Sequence, residues 1–459
     1  MFSARCASCG VRFVLKKSAF TLLFPSFDQR GIVYNSATGK LCLLNEYTHR
    51  LARAVLWRPN YPYRKADYRK IREEFLERGF LVENQRDELK RLQISHQKAR
   101  KDRSNFMLTL APTKNCNLAC VYCYEGRHED ITWTESDEEA VFAFAGRRLP
   151  SESALHVTWY GGEPLLVLPM VLRLSTRLKK LALSRRCTWT CEMVTNGTLL
   201  TPEAAESLAQ IGCTDFQITL DGPPEVNDKL RRSRDGTGSF DLIMGNIKRL
   251  ELDKLSVVIR VNLMKDNIAA IGDLVRQLSS LGLAGMIAIA LAPVQALGKS
   301  CYAVSQRCMS PEGFADCHFD FVRLLDEEGF SPNCLPHPIG SFCGAYVENS
   351  FVIDWNGDVS KCWNDVGISE KRIGNVHSPA GISSRQTCHA DRDPFRDSKC
   401  RQCPILPVCM GGCPAVAASA GGFNQACRFY KHRFADYLNF HVYRHLRREP
   451  PSNEPQATA

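Results

Sequence analysis

The 459-residue chain has no apolar run approaching the length of a membrane span, which excludes a transmembrane helix as its organising feature. It has no secretory core segment either. The short apolar stretch at residues 20–24 is too brief for one and directly follows the basic residues Lys16 and Lys17, so the chain is expected in the cytoplasm, with no membrane partner. Long basic runs are also missing. The formal net charge is +10, but Lys and Arg are scattered apart from short clusters such as Arg231, Arg232 and Arg234, and no aromatic residues interleave with them. A solvated basic surface accounts for the excess, and nucleic acid is not expected as a partner. A hydrophobic content of 44% beside 24% charged residues argues against extended disorder, and the length calls for two or three domains.

Cysteine is abundant instead, at 21 residues. In a reducing compartment disulfides do not persist, so metal or redox chemistry becomes the leading use of so many thiols. Their distribution is uneven: three lie between 116 and 123, and five between 400 and 427.

Along the chain, Ile32 to Leu44 reads as two short strands around a turn at Asn35, Ser36 and Gly39. Two amphipathic helical stretches (NEYTHRLARAVL and YRKIREEFLERG) and a closing strand complete a small winged-helix-like α+β module. Charge dominates residues 84–104, as in a solvated helical linker. From 104 to 330 six short β-rich runs alternate with helical stretches. Six βα units predict a parallel sheet, which a partial (β/α)6 TIM-like barrel accommodates, with chemistry at the C-terminal ends of its strands. From 331 the pattern gives way to Gly, Pro and Cys, and bound metal is the expected source of stability there, up to a final helix ending near 449. The tail from 450 to 459 has a disordered composition.

The run Cys116-Asn-Leu-Ala-Cys120-Val-Tyr-Cys123 follows the first strand of the barrel. Three thiolates on a four-iron cubane leave one iron open to chelate a ligand. A zinc site prefers four ligands in paired Cys-x2-Cys spacing, and no fourth lies nearby in sequence. This loop resembles the signature of the radical S-adenosylmethionine (SAM) superfamily. The resemblance implies a [4Fe–4S] cluster on Cys116, Cys120 and Cys123, SAM bound through its amino and carboxylate groups to the open iron, and Tyr122 beside the adenine.

Further stretches resemble the same family in the expected order. Gly161-Gly162-Glu163-Pro164 ends the second strand, where the resemblance implies bare backbone and a carboxylate for the amino group of SAM. Asn196, in Thr195-Asn196-Gly197, ends the third; the family has polar contacts to the ribose region there, although Asn-Gly is equally a turn dipeptide. Thr219-Leu-Asp221-Gly222-Pro223 with Asp228 and Arg231 is similar to the family's S-x-D-G-P…H-D-x-x-R stretch. It implies a hydroxyl contact from Thr219 and pairing of Arg231 with the SAM carboxylate. Asn227 stands where that pattern has His. Arg260 and Asn262 on the fifth strand suit either a cofactor contact or hydrogen bonding at the core rim.

The C-terminal third carries Cys343-x13-Gly357-x4-Cys362, then Cys400-x2-Cys403-x5-Cys409-x3-Cys413, then Cys427. These spacings resemble the SPASM domain, an auxiliary-cluster module of peptide-modifying radical SAM enzymes; Cys400-x2-Cys403 alone would also suit zinc. The resemblance implies two auxiliary [4Fe–4S] clusters, one on Cys343, Cys362 and Cys413 with Cys334 as a fourth ligand, the other on Cys400, Cys403, Cys409 and Cys427. Should Cys334 lie elsewhere, the first of these keeps an open iron. Cys42, Cys187, Cys191, Cys213, Cys301, Cys308, Cys317 and Cys388 lack metal spacing and read as small core or surface residues, whereas Cys6-Ala-Ser-Cys9 has redox-like spacing.

The expected architecture is therefore an N-terminal winged-helix-like module with linker over 1–103, a radical SAM partial barrel over 104–330, an irregular SPASM domain over 331–449 and a tail over 450–459. The resemblance implies reductive cleavage of SAM, oxidative crosslinking of a ribosomally made peptide, and an external electron donor of flavodoxin or ferredoxin type. Related enzymes that mature sulfatases place an Asp directly after the cysteine matching Cys362; here Trp363 stands there, with Asp365 two residues on. The N-terminal module is similar to domains that capture a leader peptide along a sheet edge, and is expected to be separable from SAM cleavage. Oxidation of a folded protein, and a non-catalytic zinc-binding protein, are the competing readings.

Overall fold

The computed structural model describes residues 4–5, 12–26, 30–126, 129–297, 304–378, 382, 392–419 and 426–448. Cys6, Cys9, Cys301, Cys388 and the 450–459 tail lie outside them. Among the described residues no helix is long and apolar enough to cross a membrane.

In the N-terminal module β1 (Ala4–Arg5) pairs with β2 (Arg12–Phe13), and β3 (Leu15–Lys17) with β7 (Leu81–Glu83). Strands β4 (Thr21–Pro25), β5 (Gly31–Asn35) and β6 (Leu41–Leu44) form an antiparallel sheet. The expected turn closes because Asn35 Oδ1 accepts from the amides of Ala37 and Thr38 at 2.9 and 3.0 Å. Helices α1 (Glu46–Trp57), started by an Asn45 cap on Thr48 N, and α2 (Ala66–Glu77) pack Leu51, Val55, Ile71 and Phe75 against Leu15, Val33 and Phe80.

The opposite face of β5 is buried too. Ile32 and Tyr34 join a cluster with Ile405, Val408, Phe434 and Leu438 from the cysteine-rich segment, and Phe20 packs among Phe395, Leu406 and Met410. The Tyr34 hydroxyl donates to Pro336 O. The module is thus packed into the C-terminal third. The linker is not freely solvated. Helix α3 (Glu88–Lys101) buries His96, whose Nδ1 lies 2.9 Å from Gly340 O, and Glu88 accepts from Ser18 Oγ and Ala19 N. Deleting residues 1–84 uncovers these apolar contacts, and at about 1.5–3 kcal/mol for each large side chain the expected loss exceeds roughly 5 kcal/mol. Thermal unfolding checks this; a truncated protein that melts at the parent temperature would show the module to be independent.

The six expected βα strands form in sequence order as one parallel array: β8 (Asn105–Leu110), β9 (Ala154–Trp159), β10 (Thr188–Thr195), β11 (Cys213–Thr219), β12 (Ser256–Leu263) and β13 (Ala288–Pro293). Burial alternates along β8, β9 and β12. Phe106, Leu108, Leu155, Val157, Phe216, Ile218, Val257 and Ile259 share one core with apolar side chains of α4 (Glu135–Arg148), α5 (Leu168–Ser184), α6 (Pro202–Gln210), α8 (Phe240–Ile247), α9 (Ile271–Ser280) and α10 (Pro311–Glu327); α7 (Pro224–Leu230) lies between β11 and α8. The alternate positions are polar or half-buried, among them Thr158, whose hydroxyl donates to Glu192. Because every strand runs the same way, the residues following Leu110, Trp159, Thr195 and Thr219 gather along one edge.

The segment beyond 331 is more regular than its composition suggests. Strand β14 (Ser350–Ile353) pairs parallel with β8, and the hairpin β15 (Asp358–Ser360) and β16 (Gly374–Asn375) extends the sheet to nine strands, so no break separates barrel from cysteine-rich region. Of the short helices α11 (Ser398–Arg401), α12 (Leu406–Cys409) and α13 (Pro414–Ser419), the first carries Cys400 and the second ends on Cys409, and α14 (Phe434–Arg448) closes the described chain.

Candidate active site

Cys116, Cys120 and Cys123 lie on the loop after β8, at the edge just described. Burial raises the pKa of all three thiols, Cys116 to about 12 with Glu163 adding to the effect, and Cys120 acts electrostatically on both of the others. Cys116 Sγ accepts from Leu118 N at 3.4 Å and faces Asn196 Nδ2 at 3.7 Å. Neutral buried thiols become ligands when a metal centre deprotonates them.

The glycine pair explains how the loop is seated. Gly162 N donates to Thr113 O and Glu163 N to Asn115 O, so this backbone runs against the segment entering the cysteine loop. A Cβ on Gly162 would lie 2.1 Å from Asn115 O, and Gly161 has φ +106°. Glu163 turns away from the cavity: Oε1 accepts from Leu165 N and Thr195 Oγ1, Oε2 from Asn196 N, and both oxygens are held in bracing β9 to β10. Asn196 reaches back through Nδ2 to Asn117 Oδ1 at 2.8 Å.

Tyr122 sits at the centre of a buried network. Its hydroxyl donates to Asp221 Oδ2 and accepts from Arg231 Nη1 at 2.8 Å and Asn262 Nδ2 at 3.1 Å. Arg231 is 6% exposed, and its Nε has no hydrogen-bond partner among the described residues. An orphaned guanidinium N–H beside three thiols is a donor awaiting an anionic group. Asp228 instead caps α8, accepting from Ser239 N and Phe240 N, and Asn227 ties that cap to Asp221 N. Both residues are structural.

These groups open onto one cavity of about 1360 Å³. Cys116, Cys120, Tyr122, Cys123, Gly161, Gly162, Asn196, Thr219, Arg231, Arg260 and Asn262 line it, together with Cys343, Cys362, Cys413 and Cys427. The lining includes an aromatic wall that the sequence motifs did not single out: Tyr160 packs edge-on to Trp363 at 5.2 Å and stacks on Tyr124 at 6.5 Å. The neighbouring Glu125 has an Oε2 sealed from solvent without a hydrogen-bond partner, and burial pushes its pKa up to about 8 against the pull of Lys114. Only adjacency to the cysteine loop pointed to Tyr124 and Glu125.

The remaining cysteines divide into two sets. Cys343, Cys362 and Cys413 cluster around Ala345 and Ala415, with Cys413 raising the pKa of Cys343 and both raising that of Cys362 beyond what burial does. Cys400, Cys403, Cys409 and Cys427 form a second group, in which Cys427 acts on the ionisation of the other three. Gly412, at φ +72°, makes this possible, since a Cβ there would lie 1.7 Å from Ala426 O. Cys334 belongs to neither. It is buried with Phe319, Val322 and Tyr437 beside Arg444 Nη1, and lines no part of the cavity. The fold packs it on the face where α10 and α14 meet. Cys187, Cys191 and Cys213 are core residues, and Cys42, Cys308 and Cys317 are half-buried, as expected. Among the described residues no three His, Cys, Asp or Glu side chains close on a single metal ion. A cubane seats each thiolate on its own iron, so its ligands need not meet at a point.

Residues 110–278 match the radical SAM superfamily. The chain carries a radical SAM domain there and is an enzyme. The family implies a [4Fe–4S] cluster and SAM, which the buried thiols, the orphaned Arg231 N–H and the cavity fit. Among curated relatives, a serine-type anaerobic sulfatase-maturating enzyme of Bacteroides thetaiotaomicron is 25% identical over 389 residues, spanning 74% of this chain and 91% of that protein. The mycofactocin maturase MftC of Mycobacterium tuberculosis is 26% identical over 340 residues, spanning 68% and 79%. Among solved structures, Streptococcus suis SuiB bound to its precursor peptide SuiA aligns with a TM-score of 0.53 at 15% identity, covering 90% of this chain and 99% of that one. That likeness is one of fold, and it extends beyond the radical SAM domain.

Proposed function

We propose that this radical SAM enzyme matures a ribosomally made peptide by oxidative crosslinking, with SAM held at Cys116, Cys120 and Cys123 and auxiliary [4Fe–4S] clusters at the two C-terminal cysteine sets. The observation that carries the reading is the single cavity flanked by the first thiol triplet and by the Cys343, Cys362 and Cys413 set. The chemistry that the SAM-binding cluster supplies when bound is reductive cleavage of SAM to methionine and a 5′-deoxyadenosyl radical. This chain's residues then have to hold the substrate C–H at the site and exclude water. Gly161, Gly162, Asn196, Thr219 and Arg231 offer backbone and polar contacts to SAM, Tyr122 its ring, and Glu163 acts behind them by bracing the strand ends. Forming a crosslink removes two hydrogens from the peptide. One would leave as a hydrogen atom to the deoxyadenosyl radical and the other as a proton with an electron, for which clusters held by Cys343, Cys362 and Cys413 and by Cys400, Cys403, Cys409 and Cys427 would supply an acceptor, an external carrier of flavodoxin or ferredoxin type being the exchange partner.

Cys334 being elsewhere, the Cys343 set has three thiolates and retains a position for a substrate group. Trp363 occupies the cavity wall where a sulfatase-maturing base is expected, while Asp365 is buried, paired with Lys371 at 3.0 Å and absent from the cavity lining. The N-terminal sheet leaves one edge each of β4 and β6 unpaired among the described residues, a surface suited to a leader strand. A second reading, oxidation of a residue in a protein such as a sulfatase, is favoured by the long alignment with the Bacteroides enzyme. Anaerobic co-expression with short peptides encoded beside the gene, followed by mass spectrometry, decides between them. Loss of two hydrogens from such a peptide is expected; unmodified peptides together with a modified sulfatase would overturn the first reading in favour of the second.

A further inference from the structure

The corner where α1 turns into α2 holds the most exposed large aromatic side chain among the described residues, Trp57 at 84%. Tyr61, 51% exposed, lies with it beside Pro59 and Pro62 in a shallow cleft of about 480 Å³. The loop that carries them is held fixed. Asn60 brackets the backbone of Leu15, accepting from its amide and donating to its carbonyl, both at 2.7 Å. Tyr63 donates to Ala54 O at 2.7 Å and stacks on Tyr68 at 4.4 Å, while Tyr61 meets Tyr63 edge-on at 5.0 Å. The two prolines restrict the backbone further. Trp57 takes no part in the core beneath it. An indole left in water on a rigid loop is a preorganised anchor for a partner.

Charge says what that partner is. Residues 50–72 carry eight Lys or Arg against one acidic residue, Asp67, whose carboxylate accepts from the Tyr47 hydroxyl at 2.7 Å. Arg53, Arg58, Arg64 and Lys65 are exposed and form no ion pair among the described residues. The sequence spreads these cations out, but on the fold Arg50, Arg53 and Trp57 share one face of α1, and Arg58 lines the cleft. The N-terminus of α2, to which Lys65 gives no side-chain cap, adds partial positive charge. A second copy of this +10 chain is repelled by such a surface. An electron carrier gains nothing by docking here, since α1 and α2 pack on a core that none of the three cysteine sets joins.

We propose that this corner docks an acidic segment of the substrate peptide, with an apolar side chain of that segment lying in the cleft against Trp57 and its carboxylates meeting Arg53 and Arg58. It rests on the peptide-maturation reading and adds to it a second hold on the peptide, apart from the sheet edge. The carboxylates steer association and set its salt dependence, and the apolar contact slows release.

The test is fluorescence anisotropy of full-length protein with a fluorescein-labelled peptide of repeated Glu-Glu-Leu, against a control peptide of repeated Gln-Gln-Leu. The acidic peptide is expected to bind about tenfold more tightly or better, and added salt to weaken it. Trp57→Ala removes an exposed side chain, leaves the fold intact and is expected to weaken binding about tenfold, as loss of an interface anchor does. Arg53→Glu together with Arg58→Glu is expected to weaken it as much and to flatten the salt dependence, with SAM cleavage at the parent rate in both cases. No measurable binding, equal affinity for the two peptides, or an affinity unmoved in either variant would refute the inference. So would a tighter, Trp57-dependent affinity for single-stranded RNA or for phosphatidylglycerol vesicles, which assigns the corner to nucleic acid or to a membrane surface. Failure of the peptide-maturation reading shows separately, in the masses of co-expressed peptides.

Discussion

Replacing Cys116, Cys120 and Cys123 together by Ala is expected to abolish 5′-deoxyadenosine formation from SAM under reducing, anaerobic conditions, while leaving the fold in place. Loss of activity follows because these three thiols face one cavity, are not drawn into disulfides and sit beside the unpaired Nε of Arg231. Retention of the fold follows from their weak structural ties: apart from the Cys116 contacts with Leu118 N and Asn196 Nδ2, the strand ends are held by backbone bonds and by Glu163. Chromatographic assay of 5′-deoxyadenosine, with circular dichroism as the control for folding, measures both halves. Nucleoside production near the parent rate in the triple variant would remove the basis for assigning the radical to this loop.

Much of this site was legible because its chemistry is carried by short-range spacing. Cys116, Cys120 and Cys123 lie within eight residues of one another on one loop, and the strand before them alternates apolar and half-buried residues as a one-sided strand must. What escaped the sequence depends on long-range packing. The Ser350–Ile353 strand is buried at all four positions, so it shows no alternation, and only its pairing with Met107 to Leu110 reveals it. His96 sits in a helix rich in charge, and nothing local distinguishes it from its solvated neighbours; Gly340, more than two hundred residues away, determines its burial. Gly161 and Gly162 were recognised by motif, but the reason for them is steric: Thr113 and Asn115 occupy the space a side chain would need. The aromatic wall of Tyr124, Tyr160 and Trp363 unites three loops that no spacing rule connects.

The role of Cys334 was not legible for a related reason, because counting eight thiolates for two clusters is arithmetic about composition and carries no geometry. The structure separates Cys334 from the Cys343 set, which leads to a large and selective expected difference. Cys334→Ala removes a small side chain from the α10–α14 contact and is expected to leave iron content and crosslinking near the parent level, at a stability cost of about 1–2 kcal/mol for a buried cavity of that size. Replacing Cys343, Cys362 and Cys413 by Ala is expected to remove the iron of one whole cluster and abolish the crosslinked product, yet spare 5′-deoxyadenosine formation, since the triplet at 116–123 is a separate set of thiols on the loop after β8. Iron analysis, nucleoside assay and product mass spectrometry on the same preparations separate the two cases. The thiol of Cys334 has a donor nearby in Arg444 Nη1 at 3.9 Å, a group that in turn holds Asp326 and Pro332 O. A cation so placed suits a thiol packed between helices. Loss of cluster iron from Cys334→Ala would mean that this segment moves to reach the inner set when iron binds, and that the position left there for substrate is filled by the protein itself.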